Sequence, residues 1–327
     1  MYDFTPSPKV SILIPTYNRA SFLQQAIESS LSQDYPNLEI IVSDNASCDD
    51  TKNIVESYID HPFLRYYRNE INLGMVGNWR KLLYDYSTGE WIIILSDDDY
   101  FIDNTYISEA IKLIQKDKSI LMVYASGYIL NSCHNTTIQL DLPYNEITDG
   151  NEIFLNRDLL VKPFEFTFCN VLFNAKIAKI LNSFSNNDNI CCDSELFFNI
   201  CLCGNVGVIK SHVTVYRYHN DNFVLKKRTP DELIAMTDMY IKPYNLALDM
   251  RCINKYILNK WKRRLIKEYF KYSTTELIFY NKRFFFKTLK IISNICNYST
   301  LSIIVIVSSD PKFWKNIFFK FFKLIKQ

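Results

Sequence analysis

Along the first 126 residues, short β-branched and aliphatic runs alternate with stretches whose apolar positions recur every three or four residues. Val10-Ser11-Ile12-Leu13-Ile14-Pro15 is a run of strand length stopped by proline, which has no N–H to give to a sheet. Phe22, Leu23, Ala26, Ile27 and Leu31 then fall at helical spacing, with Ser21 placed to cap the helix and Pro36-Asn37 to end it. Leu38 to Val42 predicts a second strand, and a helix runs from Asp49-Asp50-Thr51 through Tyr58. Leu64 to Arg68 predicts a third strand, followed by a helix through Asn78, Trp79, Leu82 and Leu83. Trp91 to Leu95 is a wholly apolar fourth strand, and a helix over 104–115 and a strand over 120–126 complete this half. Strands and helices alternating at this spacing imply right-handed crossovers and a mostly parallel sheet. Ligands of such sheets bind beyond the carboxyl ends of the strands, where Tyr17, Asp44 and Asp97-Asp98-Asp99 all fall.

The three consecutive aspartates carry the first chemical signal. Adjacent carboxylates raise one another's pKa unless a cation lies among them, and a hard divalent metal bound through oxygen is the partner that would in turn attract phosphate. On these residues alone the triplet is either such a cation site or a solvated acidic turn. Asp44 and Ser47 are open to a similar pair of readings, a ligand contact or a capped turn. The second half is less regular. Val171-Leu172-Phe173 is strand-like, and Asp193 and Glu195 open an otherwise apolar helix, either complementing its dipole or supplying a catalytic carboxylate. Tyr216-Arg217-Tyr218-His219 follows, His219 being either a structural residue or a functional one.

Charge divides the chain in two. The formal net charge is +2, yet residues 251–327 hold 17 basic and three acidic side chains, leaving residues 1–250 with 20 basic and 32 acidic. Beyond Pro230 the pattern is helical, basic and aromatic. Asp310 and Pro311 are suited to open a last helix in which Trp314, Ile317, Phe318, Phe321, Phe322 and Ile325 share one face and five lysines the other. Such a helix either docks on the body or lies on an anionic membrane surface. No apolar run approaches the roughly 18 residues of a membrane span. The nine cysteines form no Cys-x-x-Cys pair, which is expected of reduced, mostly buried thiols in a cytosolic protein.

The segment Val10 to Arg19, the Ser43-Asp44-Asn45-Ala46-Ser47 loop, Asn72-Leu73-Gly74 and the acidic strand end occur in an order and at spacings that resemble the amino-terminal half of family 2 glycosyltransferases of the GT-A fold. Gly74-x-x-x-Asn78-Trp79 is similar to bacterial surface-polysaccharide enzymes. The resemblance implies a GT-A domain over residues 1–225, with a nucleotide-binding half near 8–126 and an acceptor half near 127–225, and a helical extension over 226–327. It implies that Pro15, Tyr17, Asn72, Asn78 and Asp97 hold the nucleotide sugar, that Arg19 and Arg217 approach its phosphates, and that Asp44 accepts the N–H of a uracil ring. The family usually places a carboxylate where Ser96 stands here, so Asp98 or Asp99, with His219, is the expected ligand of Mg²⁺ or Mn²⁺, and Asp98 is also a candidate donor contact. Asp193 matches the general base of inverting members, with Glu195 as alternate.

The function so implied is inverting transfer from a nucleoside-diphosphate sugar, UDP-linked by preference, to a saccharide or lipid-linked saccharide in O-antigen, capsule or lipooligosaccharide synthesis. The enzyme is expected on the inner face of the cytoplasmic membrane, held peripherally by its C-terminal helix. A sugar nucleotidyltransferase is the rival enzyme class, but it normally carries a Gly-rich phosphate loop near the amino terminus, and none is present. A non-catalytic polyanion-binding protein is suggested only by the tail; the acidic body argues against nucleic acid.

Overall fold

In a computed structural model the chain is described over residues 7–160, 167–220, 222, 228–277, 290–291 and 293–294. It divides into two compact units, one of Met1–Asn187 with Leu196–Phe223, the other of Asp188–Glu195 with Val224–Gln327.

The first unit is built on one ten-stranded sheet. Strand β1 (Val10–Thr16) lies between β2 (Leu38–Asp44) and β4 (Trp91–Ile94), parallel to both, and β3 (Leu64–Arg68) continues the sheet in parallel beyond β2. Every residue of β1, β2 and β4 is buried, which is why these sequences run apolar rather than alternating. Helices α1 (Ala20–Leu31) and α4 (Tyr106–Lys116) share one core with Ile12, Ile14, Ile40, Val42 and Ile93. Helix α3 (Gly74–Lys81) and the π-helical turn Leu82–Tyr86 that continues it pack against β1 and β2. Pro15 is tolerated inside a central strand because the ladder to β4 has already ended at Leu13 and Ile94.

Beyond β4 the sheet becomes mixed, a change no local signal announced. Strand β9 (Val171–Asn174) enters antiparallel between β4 and β6 (Ile120–Asn131), and β6 runs parallel to β10 (Asn205–Tyr218). The short strands β5 (Tyr100–Phe101), β7 (Thr136–Leu140) and β8 (Ile147–Thr148) pair at its margins. Strand β6 outruns its predicted end at residue 126 because both β7 and β10 continue to pair with it. Helix α2 (Thr51–Glu56) is shorter than expected, and α5 (Gly150–Leu160), α6 (Ala175–Ile180) and α7 (Cys192–Cys201) complete the helices up to residue 201.

The start of α1 also departs from expectation. Ser21 makes no cap; the helix begins at Ala20, whose N–H donates to Asp49 Oδ2 at 2.9 Å. A carboxylate from the following loop outcompetes a local hydroxyl because a charged acceptor makes the stronger bond to an orphan N–H. At the opposite end of the sheet, Gly89 permits a close approach: its N–H donates to Ser11 Oγ at 2.9 Å, and a Cβ there would stand 2.4 Å from that oxygen. Ser11 donates to buried Glu39 at 2.5 Å, and Lys9 pairs with the same carboxylate at 2.7 Å. Burial pushes the Glu39 pKa up, but Lys9, Ser11 and Thr88 outweigh it and hold the group below the usual range.

In the second unit, Thr229 and Glu232 form a capping box around Pro230 at the start of α8 (Pro230–Ala235), and α9 (Asp238–Met250) and α10 (Lys255–Leu277) pack against each other. No described helix is long and apolar enough to cross a membrane. The expected terminal helix over 310–327 lies outside the described residues.

Candidate functional site

The carboxyl ends of β1 and β4 and the exit of β10 converge on the acidic triplet. Asp97, Asp98 and Asp99 are each 3% exposed, so the triplet is not a solvated turn. Arg19, from the loop after β1, reaches across 79 positions of sequence: its Nη1 lies 3.0 Å from Asp97 Oδ1 and 2.6 Å from Asp98 Oδ2. The Tyr17 N–H donates to Asp97 Oδ2 at 3.4 Å, while the Tyr17 ring is 45% exposed at the rim. From the far side, His219 Nε2 is 3.0 Å and Asn222 Nδ2 3.3 Å from Asp98 Oδ2. The Arg217 N–H donates to Asp99 Oδ1 at 2.9 Å.

Three buried carboxylates therefore face one guanidinium and one imidazole. Burial first, then repulsion from Asp98, pushes the Asp97 carboxyl up to about 6 against the attraction of Arg19. Burial and Asp98 likewise raise Asp99 well above the ordinary carboxylate range. The Arg19 pKa is opposed by burial, yet the Asp97 and Asp98 charges more than compensate and raise it. Burial and mutual repulsion thus favour the protonated forms of Asp97 and Asp99 in spite of the cations beside them.

Several predicted residues meet there and others do not. Of the expected metal set, Asp98 and His219 are in contact, whereas Asp99 turns toward the Arg217 backbone. Among the described residues no group of three or more His, Cys, Asp or Glu side chains is arranged to hold a metal ion. The Arg217 guanidinium lies over Phe22 at 4.9 Å and Tyr100 at 5.1 Å, and its Nη2 donates to Gln25 at 2.6 Å. That clamps α1 to β5, and only its backbone serves the triplet.

Asp44 is fully buried and its oxygens are occupied, by Ser47 N–H at 2.7 Å, Tyr66 Oη at 2.9 Å and Arg68 Nη1 at 2.6 Å. Burial and then the hydrogen bond to Asp44 push the Tyr66 phenol up to about 12. Asp44 and Ser47 form a capped turn. Ala46, at φ 65°, sits in the left-handed region that this tight loop demands. Asn78 is 2% exposed and bonded to both Ser43 and Asn69, so it supports the loop from below. Asn72 accepts from Asn45 at 2.9 Å and from Gly74 N–H at 2.8 Å, bracing the same loop. Pro15 is buried at the end of β1.

In the second unit, Glu195 is 5% exposed and saturated: Asn189 Nδ2 donates to it at 2.6 Å and Lys242 Nζ at 3.1 and 3.2 Å. Burial raises its pKa against the pull of Lys242. Asp193 is only partly buried and accepts the Ser194 N–H at 2.6 Å. Asn222, Tyr66, Arg68, Gln25 and Lys242 were not anticipated. Tyr66 and Arg68 left a trace, since they alternate on one face of β3 beside Asp44; the others left none.

Against known proteins, the model described as "Glycosyl transferase family 2" matches residues 11–181. A GalNAc(5)-diNAcBac-PP-undecaprenol beta-1,3-glucosyltransferase of Campylobacter jejuni is 43% identical over 94 residues, 28% of this chain and 30% of that protein. The matched stretch thus spans less than a third of that relative's length. The crystal structure of Staphylococcus aureus TarS 1-349 in complex with UDP-GlcNAc superposes with a TM-score of 0.69 at 15% identity, covering 88% of this chain and 81% of that one. The mannosyltransferase PcManGT of Pyrobaculum calidifontis, in complex with GDP-Man and Mn²⁺, gives a TM-score of 0.53 at 17% identity over 94% of this chain and 89% of its own. The fold is the GT-A fold.

Proposed function

The chain belongs to glycosyl transferase family 2, and on that premise we propose that it is an inverting glycosyltransferase. It moves a sugar from a nucleoside-diphosphate donor, UDP-linked by preference, to a saccharide or lipid-linked saccharide of a bacterial surface polysaccharide. The observation that carries this reading is the buried triplet Asp97–Asp99 at the strand ends, beside the exposed ring of Tyr17. The names of the relatives support the substrates, one acting on an undecaprenol diphosphate and another crystallised with UDP-GlcNAc.

The triplet suits a divalent cation. Its donors are hard carboxylate oxygens with one imidazole, and burial with repulsion from Asp98 makes Asp97 and Asp99 hold their protons more tightly than ordinary carboxyls, a cost that a cation would relieve. Asp98, Asp99 and His219 are the residues that would hold Mg²⁺ or Mn²⁺. When bound, the metal supplies positive charge against the leaving diphosphate.

The protein's own groups supply the rest. Arg19 stands at the mouth of the triplet, a planar cation suited to diphosphate oxygens. The Asp44–Tyr66–Arg68 and Ser43–Asn78–Asn69 networks fix the loop that would flank the base, so little ordering is left to the donor. Asp193 takes the acceptor hydroxyl's proton as that oxygen attacks the anomeric carbon opposite the diphosphate. Glu195, bonded to Lys242 and Asn189, is the alternate for this role, and those bonds favour Asp193. Peripheral contact with the inner face of the cytoplasmic membrane is part of the same proposal, supported by the excess of basic residues after 250.

Titration calorimetry with UDP tests it. UDP is expected to bind in Mn²⁺ and to lose most of its affinity in EDTA or on Asp98→Asn with Asp99→Asn. Unchanged affinity in both would remove the metal from the reading, and no binding of any nucleoside diphosphate would remove the donor site.

A further inference from the structure

We propose that the corner between α9 and α10, together with the outward stripe of α10, is a docking surface for an anionic lipid bilayer. The inward stripe of α10 is Leu258, Trp261, Leu265 and Tyr269, all 4% exposed or less and spaced as one helical face. Tyr256, Lys260, Arg263 and Lys267, at offsets of four, seven and eleven, form the opposite stripe, and all four are exposed. Their placement follows from the inward stripe alone: once Trp261 and Leu265 are buried, these four positions face away.

Two properties set this surface apart. Met250 at 44%, Tyr256 at 78% and Ile257 at 46% exposure are three of the nine large hydrophobic side chains that stand exposed among the described residues, and they fall within eight consecutive positions. Around them basic residues dominate: Asp249 precedes Met250, but from Arg251 to Lys267 there are seven basic residues and no acidic one, Glu268 being the next. Among the described residues, Arg251, Lys255, Lys260, Arg263 and Lys267 join no ion pair. Arg251 also holds the left-handed position that ends α9, at φ 52°, where glycine is the unstrained choice. The cation beside Met250 is kept against backbone preference.

Apolar tip and basic surround together identify the occupant. Nucleic acid would match the charge but leave Met250 and Ile257 in water, and an acidic protein patch would do the same. A bilayer surface satisfies both: headgroup phosphates meet the cations, Tyr256 lies at headgroup depth, and Met250 and Ile257 enter the acyl boundary. The surface depends on the glycosyltransferase reading only for its benefit, namely bringing the enzyme to a lipid-linked acceptor; its residues are separate from Asp97–Asp99.

The test is co-sedimentation of the full chain with phosphatidylcholine vesicles with and without phosphatidylglycerol, with UDP calorimetry run on the same preparations. Binding is expected only with phosphatidylglycerol. Lys260→Gln with Arg263→Gln should weaken it about 30-fold, at about fivefold per charge near the surface. Met250→Ser with Ile257→Ser should weaken it further, and neither pair should alter UDP affinity, since all four side chains face solvent. Equal binding to both vesicle types, or full binding by both double variants, overturns the proposal. Loss confined to a chain lacking 310–327 does so as well, by moving the contact to the terminal helix. Vesicle binding in a protein that fails to bind UDP would sink the donor-site reading and leave this surface standing.

Discussion

Asp97→Asn should stabilise the ligand-free protein at neutral pH while weakening its hold on a donor, and the size of the gain can be worked from the site. In the unfolded chain Asp97 ionises near the ordinary carboxylate value of 3.8, whereas in the fold burial and Asp98 push it up to about 6. The folded state therefore binds this proton more tightly than the unfolded state. The group's contribution to stability is greatest below pH ~4, falls as pH rises from about 4 to about 6, and stays low above. At about 1.4 kcal/mol per pKa unit the penalty at neutral pH is about 3 kcal/mol. Asparagine never ionises, keeps an oxygen for the Tyr17 N–H, and leaves the Arg19–Asp98 contact of 2.6 Å in place. Part of the gain is offset because Arg19 loses one of its two carboxylates, so about 2 kcal/mol is expected. Urea unfolding in EDTA, followed by tryptophan fluorescence from about pH 4 to pH 7.5, reads it. Carboxylates held below their usual pKa, such as Glu39 and Asp49, weaken both proteins in acid and cancel in the difference. The stability of the variant minus that of the natural protein should climb through the window and then level. A flat difference, or one that falls with pH, would show that burial and repulsion do not favour the protonated form of Asp97 and would refute the electrostatic basis of the site.

Asp193→Asn should keep UDP affinity within about twofold and lower turnover by at least about 10², the scale of a lost general base, whereas Glu195→Gln should act chiefly on stability by leaving Lys242 with Asp238 in place of two carboxylates; steady-state kinetics with thermal melts separates the two, and near-normal turnover of the Asp193 variant moves the base elsewhere. Gly89→Ala should destabilise by about 1–3 kcal/mol, because its Cβ meets Ser11 Oγ at 2.4 Å and the Ser11 backbone nitrogen at 2.7 Å; a melting temperature equal to that of the natural protein would mean that β4 can shift away from β1.

What the sequence determined by itself was whatever depends on neighbours a few positions apart. The runs of β1, β2 and β4 are legible because a strand buried on both faces must be apolar throughout, and the helices between them because burial on one side imposes a period near 3.6. The place of the site was legible too, since a parallel sheet presents its ligands at the carboxyl ends of its strands and the motifs stand there. The tertiary structure alone decided the partners. Arg19 meets Asp98 across 79 positions, Asp98 meets His219 across 121, and Glu195 meets Lys242 across 47. It also set the surroundings: Asp44 accepts from Tyr66 and Arg68, Asn78 bonds Ser43 and Asn69, and β9 enters antiparallel. Whether a carboxylate is neutralised, saturated or left short of charge depends on burial and on groups a few ångströms away, and the fold sets those distances with no trace in the spacing along the chain.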